Sequence, residues 1–317
     1  MALPSQLHED IRCCVCENSD PAAFNLLYQK ENFAVVTCNR CDFQFIPPYY
    51  RKKIEYTQYK NEAVTQAVRQ GNNWIKIQRH KLRLKWIKKF KSSGTLFDLG
   101  AGWGHFMLAA KEEGYSIYGI EIAEQPYRYC VEDLKLPVDH IDFFKMDPTK
   151  KFDVITLWDV LEHIDQADTF VEKIAELTAP GGYLVLQVPQ IDSYFAKRHK
   201  DQWKMMGLDH VNYFSRNTIK KLLERHGFEV EAYKSSFEIK LFIMYTLLPI
   251  VKRFKKTKVV KEGSGTITAA DRQNYFNKFT KRPQWQLKLF VWIHNRIYNT
   301  LSTLNIGEEM MVAARKR

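Results

Sequence analysis

Three glycines that follow an apolar stretch are the first residues whose spacing points to chemistry. The stretch LFDLGAGWGHF covers residues 96–106, and its glycines are Gly100, Gly102 and Gly104. Glycine permits left-handed backbone conformations and lets a ligand approach the main chain closely. A dinucleotide-binding loop has the spacing G-x-G-x-x-G, whereas His105 stands where the third glycine of that pattern would fall. We therefore expect a ligand-binding loop whose spacing disfavours a pyrophosphate.

The loop opens a longer series of motifs. Asp98 precedes its glycines, Glu121 follows in YGIEIAE, and the series continues through FDVITLWDVLEHI, PGGYLVLQVP and GFEVEAY. Together these motifs resemble the class I S-adenosylmethionine-dependent methyltransferases, over residues 90–236 and again over 306–317. The resemblance implies an α/β fold with a Rossmann-like sheet of seven strands and helices on both faces. It also implies an enzyme, a methyltransferase whose cofactor is S-adenosylmethionine.

The resemblance assigns the methionine and ribose parts of the cofactor to the first two strand ends. Small loop residues let the backbone approach the methionine portion. Glu121 follows the loop by about 20 residues and can accept both ribose hydroxyls with its two carboxylate oxygens. Asp98 anchors the loop or the ammonium group, directly or through water. The residues expected to bind the cofactor are Asp98, Gly100, Ala101, Gly102, Gly104, Glu121, Ile122, Asp142, Phe143 and Trp158.

The adenine side of the site is less sharply defined by the sequence. Ile122 and Phe143 are candidates to flank the adenine ring, with Asp142 at its amino group. The same stretch, DHIDFFKMD, also offers Asp139 and Asp147 for that contact.

Two histidines are candidates for a general base, since histidine titrates near neutral pH. His163 in VLEHI stands in a stretch similar to small-molecule methyltransferases of the ubiquinone-biosynthesis and sugar-modifying kinds. His210 and Tyr213 in HVNYFS resemble H-x-x-Y-F-S of methyltransferases that act on nucleotide sugars and polyketide glycans. Some sugar C-methyltransferases carry Y-H-E-H ahead of Y-F-S; GLDH in its place favours a hydroxyl acceptor. The alternatives are a structural role for each histidine and core packing for Tyr213.

Two C-x2-C pairs near the N-terminus have the spacing of a closed structural zinc site. The expected ligands are Cys13, Cys16, Cys38 and Cys41, with 21 residues between the pairs. Cys14 is an alternative to Cys13. Similar N-terminal ribbons occur in the sugar-modifying methyltransferases, and CDFQFIPP resembles their second knuckle. We expect a structural Zn²⁺ that folds this module and helps to frame the acceptor pocket.

The elements that position these residues alternate along the chain. Strands are expected at 95–99, 115–121, 137–141, 153–158 and 182–188, and helices at 61–90, 103–113, 124–134, 167–178 and 215–226. Short links between them predict a parallel sheet covered on both faces. The predicted organisation is a zinc module at 1–50, a basic helical linker or cap at 51–94, the methyltransferase core at 95–238, a basic helical insertion at 239–305 and a last core strand at 306–317.

The net charge of +12 is concentrated in two segments. Residues 51–93 hold 13 basic and two acidic side chains, and residues 252–296 hold 12 basic and two acidic ones. Two such runs favour an anionic partner: a phosphate-bearing substrate, a membrane surface or RNA. Solvated helix faces are the simpler alternative.

The insertion contains two apolar stretches beside basic residues. KLFIMYTLLPIVKRFKKTK at 240–258 is interrupted by Pro249, so it does not predict one spanning helix. PQWQLKLFVWIHNRIYNTL at 283–301 places Trp285, Leu289, Trp292 and Tyr298 among basic residues, as in a helix at a lipid interface. Packing on the core and dimerisation are the alternatives.

The N-terminus lacks a signal-peptide pattern, and five of six cysteines cluster at 13–41, as metal ligands do. We expect a cytoplasmic protein, with peripheral contact at the inner face of the membrane as an option.

The expected function is O-methylation of a saccharide or another small, optionally lipid-linked, acceptor. An RNA methyltransferase that holds RNA with the zinc module and basic helix is the alternative. Trp158-Asp159 replaces the N/D-P-P-Y/F signature of many enzymes that methylate exocyclic base amines, which makes a nucleic-acid partner the weaker option. A binding protein without turnover is a third possibility, against which the intact loop and Glu121 argue.

Overall fold

The computed structural model describes residues 3–51, 62–69, 73–236, 281–303 and 307–317. Its strands are β1 (Phe24–Gln29), β2 (Ala34–Cys38), β3 (Gln44–Phe45), β4 (Thr95–Leu99), β5 (Ser116–Ile120), β6 (Val138–Asp139), β7 (Phe152–Trp158), β8 (Thr178–Pro189), β9 (Asn212–Tyr213), β10 (Phe228–Ser236) and β11 (Glu309–Lys316). Its α-helices are α1 (Glu62–Arg69), α2 (Trp74–Ile87), α3 (His105–Glu112), α4 (Glu124–Arg128), α5 (Ala167–Leu177), α6 (Tyr194–His199), α7 (Arg216–Arg225) and α8 (Gln284–Thr303).

The larger sheet has seven strands in the order β10-β11-β8-β7-β4-β5-β6. The five strands from β8 to β6 run parallel, and β11 is antiparallel to both of its neighbours. The expected α/β, Rossmann-like sheet of seven strands is confirmed. Because parallel strands end at one edge, the loops after β4, β5 and β7 meet there.

Both faces of this sheet are buried, which is why its central strands β4 and β7 are mainly apolar. On one face, Leu96 and Val154 pack beneath α2 and α3 with Leu84 and Phe106. On the other face, Phe97 and its neighbours pack against α5 and α7. Helices therefore cover both faces, as expected.

The prediction of one helix over residues 61–90 is wrong in its extent. The structure has α1 and α2 in this stretch, and α2 begins after Asn73, a residue type that favours caps and turns. The helix ends at Ile87 and is followed by a turn in which the Phe90 N–H donates to the Ile87 carbonyl. The Phe90 ring nevertheless packs on Trp86 and Tyr183, with centroids 5.2 and 5.7 Å away.

Two other local expectations differ from the structure. The helix expected at 124–134 is α4 followed by one π-helical turn, Tyr129–Asp133. The strand expected at 182–188 begins earlier, at Thr178, so that the Pro-Gly-Gly sequence at 180–182 lies inside β8. Gly181 has φ of +69° there, and the β7–β8 register shifts beside it, so these residues form an irregularity in the strand.

The smaller sheet has the order β1-β2-β3-β9. Its first three strands come from the cysteine module, and its fourth comes from HVNYFS. Gln44 pairs with Tyr213 and Phe45 with Asn212. The module and the methyltransferase core thus share a sheet.

Most of the insertion, including the 240–258 stretch, lies outside the described residues. The later stretch forms α8, as expected, and packs against β10 and α2. Among the described helices, none combines the length and the apolar character needed to cross a bilayer.

Candidate active site and cysteine cluster

The three loop glycines all have left-handed backbones, but they face different surroundings. Gly100, Gly102 and Gly104 have φ of +84°, +51° and +69°. A Cβ on Gly104 would lie 2.7 Å from Leu136 and 2.8 Å from Cys130, whereas a Cβ on Gly102 would meet nothing within 4 Å. Gly104 is therefore required by packing. Gly102 leaves open space beside the backbone, which suits a closely bound ligand.

Glu121 directly follows β5 beside this loop and is already fixed by backbone donors. The Gly102 N–H donates to its Oε2 at 2.6 Å, and the Ala123 N–H donates to its Oε1 at 2.8 Å. Burial raises the pKa of Glu121, and these backbone hydrogen bonds oppose the rise. Each carboxylate oxygen has more than one lone pair, so both can still accept a ribose hydroxyl.

Asp98 lies at the carboxyl end of β4 and is buried. Thr156 of β7 is its register partner and donates from Oγ1 to Asp98 Oδ1 at 2.7 Å. Burial raises the pKa of Asp98 to about 7, against the Thr156 hydrogen bond and the positive charge of Arg83. A buried carboxylate held by one hydroxyl suits a cationic ligand group such as an ammonium. Thr156 was not singled out from the sequence.

The two phenylalanines on the side expected to bind adenine have different surroundings. The Phe143 ring is buried in the core, 4.6 Å from the Phe170 ring, so it is not a free flank for adenine. Phe144 and Ile122 are exposed instead. Asp142 caps the 3₁₀ turn Phe143–Lys145 by accepting from the Phe144 N–H at 2.9 Å. Phe143 and Phe144 follow each other in one 3₁₀ turn, so one side chain enters the core and the other faces solvent.

Trp158 ends β7 inside a polar and aromatic group. Its ring lies 4.9 Å from the Phe106 ring, and the Arg83 guanidinium stands 4.3 Å from its centroid. Arg83 also donates to Gln187 Oε1 at 3.0 Å, and Gln187 Nε2 donates to Asp159 at 2.9 Å. The Trp158 indole N–H is buried without a hydrogen-bond partner among the described residues. The structure thus leaves a donor for a ligand at this edge, which α2 covers through Arg83.

The structure brings His163 and His210 together. Their ring centroids are 4.8 Å apart. His163 Nδ1 contacts the Asp209 carbonyl, and His210 Nδ1 lies 2.7 Å from the Met205 carbonyl. Since a carbonyl only accepts, each Nδ1 carries the hydrogen, and each neutral ring keeps a basic Nε2. Burial, followed by the charge of His210, lowers the pKa of His163.

Glu162 completes this group and was missed in the sequence, although it directly precedes His163. Its side chain is 1% exposed, and Oε2 has no hydrogen-bond partner among the described residues. Burial and then the charge of Asp159 raise its pKa well above the usual range. One ligand atom each of Glu162, His163 and His210 lie within 4.8 Å of one another.

Tyr213 does not belong to this group. It is fully buried, packs with Phe33 and Trp203, and donates from its hydroxyl to the Gly207 carbonyl at 3.2 Å. Burial raises its pKa. This burial favours the alternative of a packed aromatic for Tyr213, because β9 carries the side chain into the cluster of the smaller sheet with Ile46 and Trp203.

The expected cysteines converge. Cys13 and Cys41 sulfurs are 3.5 Å apart, those of Cys16 and Cys38 are 3.6 Å apart, and all four lie within 4.8 Å of one another. Four thiolates ~2.3 Å from one ion would stand ~3.8 Å apart, close to this spacing. The six cysteines, all within the described residues, are free thiols. The structure therefore has a possible four-cysteine metal site.

Cys14 lies apart from that cluster, in the contact between module and core. Burial raises the pKa of its thiol to about 12. Nearby, Asp168 accepts from Arg225 at 3.5 Å and pairs with Arg12 at 3.1 Å. Arg225 also donates to the Val15 carbonyl at 2.8 Å. These contacts fix the first knuckle to α5 and α7.

The second knuckle contacts the histidine segment directly. Besides the β3–β9 pairing, the Ile46 N–H donates to the Val211 carbonyl at 2.9 Å, and the Val211 N–H donates to the Glu162 carbonyl at 2.8 Å. The module, His210 and His163 are therefore linked through consecutive backbone hydrogen bonds.

The sheet order and the glycine loop define a class I S-adenosylmethionine-dependent methyltransferase. Residues 75–233, half of the chain, match the family model described as "Methyltransferase domain". The chain belongs to this family, and the resemblance inferred from its motifs is confirmed.

The named relatives share low sequence identity with this chain. The ubiquinone biosynthesis O-methyltransferase of Bordetella avium (strain 197N) is 27% identical over 116 residues, which are 32% of this chain and 47% of the relative. The enzyme of the same name from Leptothrix cholodnii is 26% identical over 116 residues, 33% of this chain and 49% of the relative. The chain spans about half the length of the curated relatives it matches. A solved S-adenosylmethionine-dependent methyltransferase from Archaeoglobus fulgidus shares 20% identity with a TM-score of 0.45, covering 75% of this chain and 94% of that one.

Proposed function

We propose that this protein methylates a hydroxyl oxygen of a small acceptor, with His210 or His163 as general base. The observation that carries the proposal is the histidine pair with two fixed tautomers, beside the glycine loop. Val160, three residues before His163, lies against the Cβ position of Gly100. The pair and the loop thus border the same edge of the sheet.

The residues of this edge fit S-adenosylmethionine. Asp98 would hold its ammonium, Glu121 its ribose hydroxyls, and Ile122 and Phe144 would flank its adenine. Bound S-adenosylmethionine supplies an electrophilic methyl group. A histidine Nε2 accepts the acceptor's hydroxyl proton as the oxygen attacks, and later releases that proton to solvent. Alignment of the two reactants supplies the rest of the rate enhancement.

The acceptor side is acidic, which bears on the choice of acceptor. Asp159, Asp209 and Glu309 all contribute negative charge at Glu162. Such an edge repels phosphate groups, so RNA, whose binding depends on phosphate contacts, is a poor acceptor there. A neutral polyhydroxyl compound suits it. The H-x-x-Y-F-S resemblance supports a saccharide, and the names of the curated relatives support an oxygen acceptor.

We propose a structural zinc ion at Cys13, Cys16, Cys38 and Cys41. It would hold the knuckle that leads from β2 to β3, and β3 in turn holds β9 beside His210.

The decisive experiment is transfer of isotopically labelled methyl from S-adenosylmethionine to a panel of saccharides, quinol precursors and RNA, with the product bond assigned by NMR. An O-methyl product that requires the histidine pair supports the proposal. Transfer to RNA alone, or to carbon or nitrogen only, would reject it.

A further inference from the structure

The helix before the last strand has two unlike faces. Leu287 of α8 is 3% exposed, whereas Trp285, Leu289, Trp292 and Ile293 are 65%, 48%, 58% and 43% exposed. At 3.6 residues per turn these four side chains form one stripe, with Leu287 on the opposite side. Because α8 packs on β10 and α2, the stripe faces away from the sheet. We call these four residues the α8 stripe.

The surroundings of the α8 stripe are basic. The described residues 281–303, which carry the stripe, contain four lysines and arginines and no acidic residue. Arg296 lies on the same side, with its guanidinium 5.5 Å from the Trp292 ring centroid. Exposed tryptophan and leucine beside lysine and arginine are the composition of a helix that lies in the headgroup region of a bilayer. The indole ring suits that depth because one end is apolar and the other polar.

We propose that α8 is an interfacial anchor that binds the surface of an anionic phospholipid membrane. The apolar stripe enters the boundary between headgroups and acyl chains, while the basic residues pair with lipid phosphates. A second copy of this chain would suit the stripe less well, since a symmetric contact would bring two uniformly basic segments together.

The position of α8 connects this anchor to the acceptor edge. The chain passes from Thr303 to β11 within six residues. At the start of β11, Glu308 accepts from the Trp203 indole at 3.0 Å, and Glu309 accepts from Gln187 at 2.9 Å. Gln187 belongs to the polar group around Asp159 described above. These contacts bring the C-terminal end of α8 toward the methyl-transfer edge, and the α8 stripe begins about 15 Å further back along the same helix. This part rests on the proposed function and narrows its acceptor to a hydroxyl compound carried in, or linked to, lipid.

The test is flotation of the full chain with vesicles, without S-adenosylmethionine or acceptor. Vesicles of phosphatidylcholine are compared with vesicles containing about one-third phosphatidylglycerol, at low and high salt. We expect flotation with the anionic vesicles, reduced at high salt. Trp285→Ser/Trp292→Ser should bind at least tenfold more weakly. Tyr194→Ser, which changes an equally exposed aromatic on α6, is the matched control and should bind like the wild type.

Three results would overturn the anchor. In the first, the wild type stays unbound at low salt. In the second, the double variant floats like the wild type. In the third, sedimentation shows a dimer that the double substitution dissociates, and no vesicle binding is seen. Unchanged S-adenosylmethionine affinity shows that the double variant is folded. A chain that floats but methylates no hydroxyl keeps the anchor and rejects the proposed function. A chain that methylates a water-soluble hydroxyl acceptor but does not float rejects the anchor and keeps the proposed function.

Discussion

His163 and His210 face each other with ring centroids 4.8 Å apart, and a backbone carbonyl fixes the Nδ1 of each. One histidine follows β7, and the other precedes β9, whose place is set by the cysteine module. The pair therefore depends on both sheets. In the proposed function either Nε2 can take the proton of the acceptor, so the catalytic prediction covers both residues.

Replacing His210 should separate turnover from cofactor binding. In His210→Ala the proton acceptor is lost while the glycine loop is untouched, so turnover should fall ~10²–10⁴-fold with S-adenosylmethionine affinity retained. His226→Ala, at the end of α7, is the control. Steady-state kinetics and calorimetry measure the two effects. Near-normal turnover would transfer the role to His163, which the equivalent His163→Ala variant then tests.

Replacing Glu121 should weaken the binding of S-adenosylmethionine. Glu121→Ala removes an acceptor for two ribose hydroxyls, worth ~1.5–3 kcal/mol per charge-assisted hydrogen bond, and also releases the Gly102 and Ala123 N–H groups. Calorimetry should show a loss of at least tenfold in affinity. Glu132→Ala, a surface carboxylate beyond α4, should bind S-adenosylmethionine normally. If both variants bind equally well, Glu121 has no place in the site.

Ionisation of the buried Asp98 should lower the free energy of unfolding at neutral pH. Folding raises the pKa of Asp98 from 3.8 to about 7, so its contribution to the free energy of unfolding is full below pH 4 and is lost as pH rises through 7. Asp98→Asn cannot ionise and escapes that loss. Urea unfolding without cofactor should show the variant gaining on the wild type between pH 5 and 8, by a few kcal/mol at ~1.4 kcal/mol per pKa unit.

Asp153→Asn provides the contrasting control for that series. The Thr95 backbone N–H is the main cause that lowers the pKa of Asp153, so its stabilising contribution is lost only as pH falls below the usual carboxylate range. Its stability difference from the wild type should stay constant between pH 5 and 8. A flat Asp98→Asn difference over the same range would show that the aspartate is not held neutral in the free protein.

The loop glycines should respond differently to one added methyl. Gly104→Ala must place a Cβ within 3 Å of Leu136 and Cys130, so it should lower the free energy of unfolding by several kcal/mol. Gly102→Ala carries only the left-handed backbone penalty of roughly 1–2 kcal/mol, yet its methyl enters the space assigned to the ligand. Urea unfolding and calorimetry together test this. If Gly102→Ala and Gly104→Ala lose equal stability and Gly102→Ala binds S-adenosylmethionine with unchanged affinity, the space beside Gly102 is not the ligand site.

Removing the second knuckle should remove metal and impair turnover. Cys38→Ser/Cys41→Ser is expected to lose about one zinc ion per chain by elemental analysis. Since β3 would then be held less firmly against β9, turnover should fall more than S-adenosylmethionine affinity. Cys14→Ser should retain its zinc. If Cys14→Ser loses the metal while Cys13→Ser keeps it, Cys14 is the ligand in place of Cys13.

The parts of the fold that could be predicted from sequence depend on local signals. β4 has the predicted boundaries because an apolar run meets a glycine loop. The helix α5 differs from the expectation by one residue at its end, and α7 differs by one residue at each end. The four cysteines could be predicted because knuckle spacing is a short-range property. The glycine loop and Glu121 likewise follow directly from strand ends.

The remainder depends on contacts between distant segments. β3 and β9 have two residues each, too few for any alternation to be visible. Thr156 meets Asp98 only because β7 lies beside β4 in the sheet. Phe143 and Phe144 are identical neighbours in sequence, and only tertiary packing in the core that includes Phe170 decides that Phe143 is the buried one.

The pairing of β3 with β9 also sets a delay during synthesis of the chain. More than 160 residues separate the two strands, which at 5–20 residues per second takes the ribosome roughly ten to thirty seconds. Throughout that interval the outer edge of β3 lacks its native neighbour and is open to strands of other nascent chains. A strand of only two residues offers such neighbours little to pair with. The brevity of β3 thus protects the newly made N-terminal segment until its partner emerges.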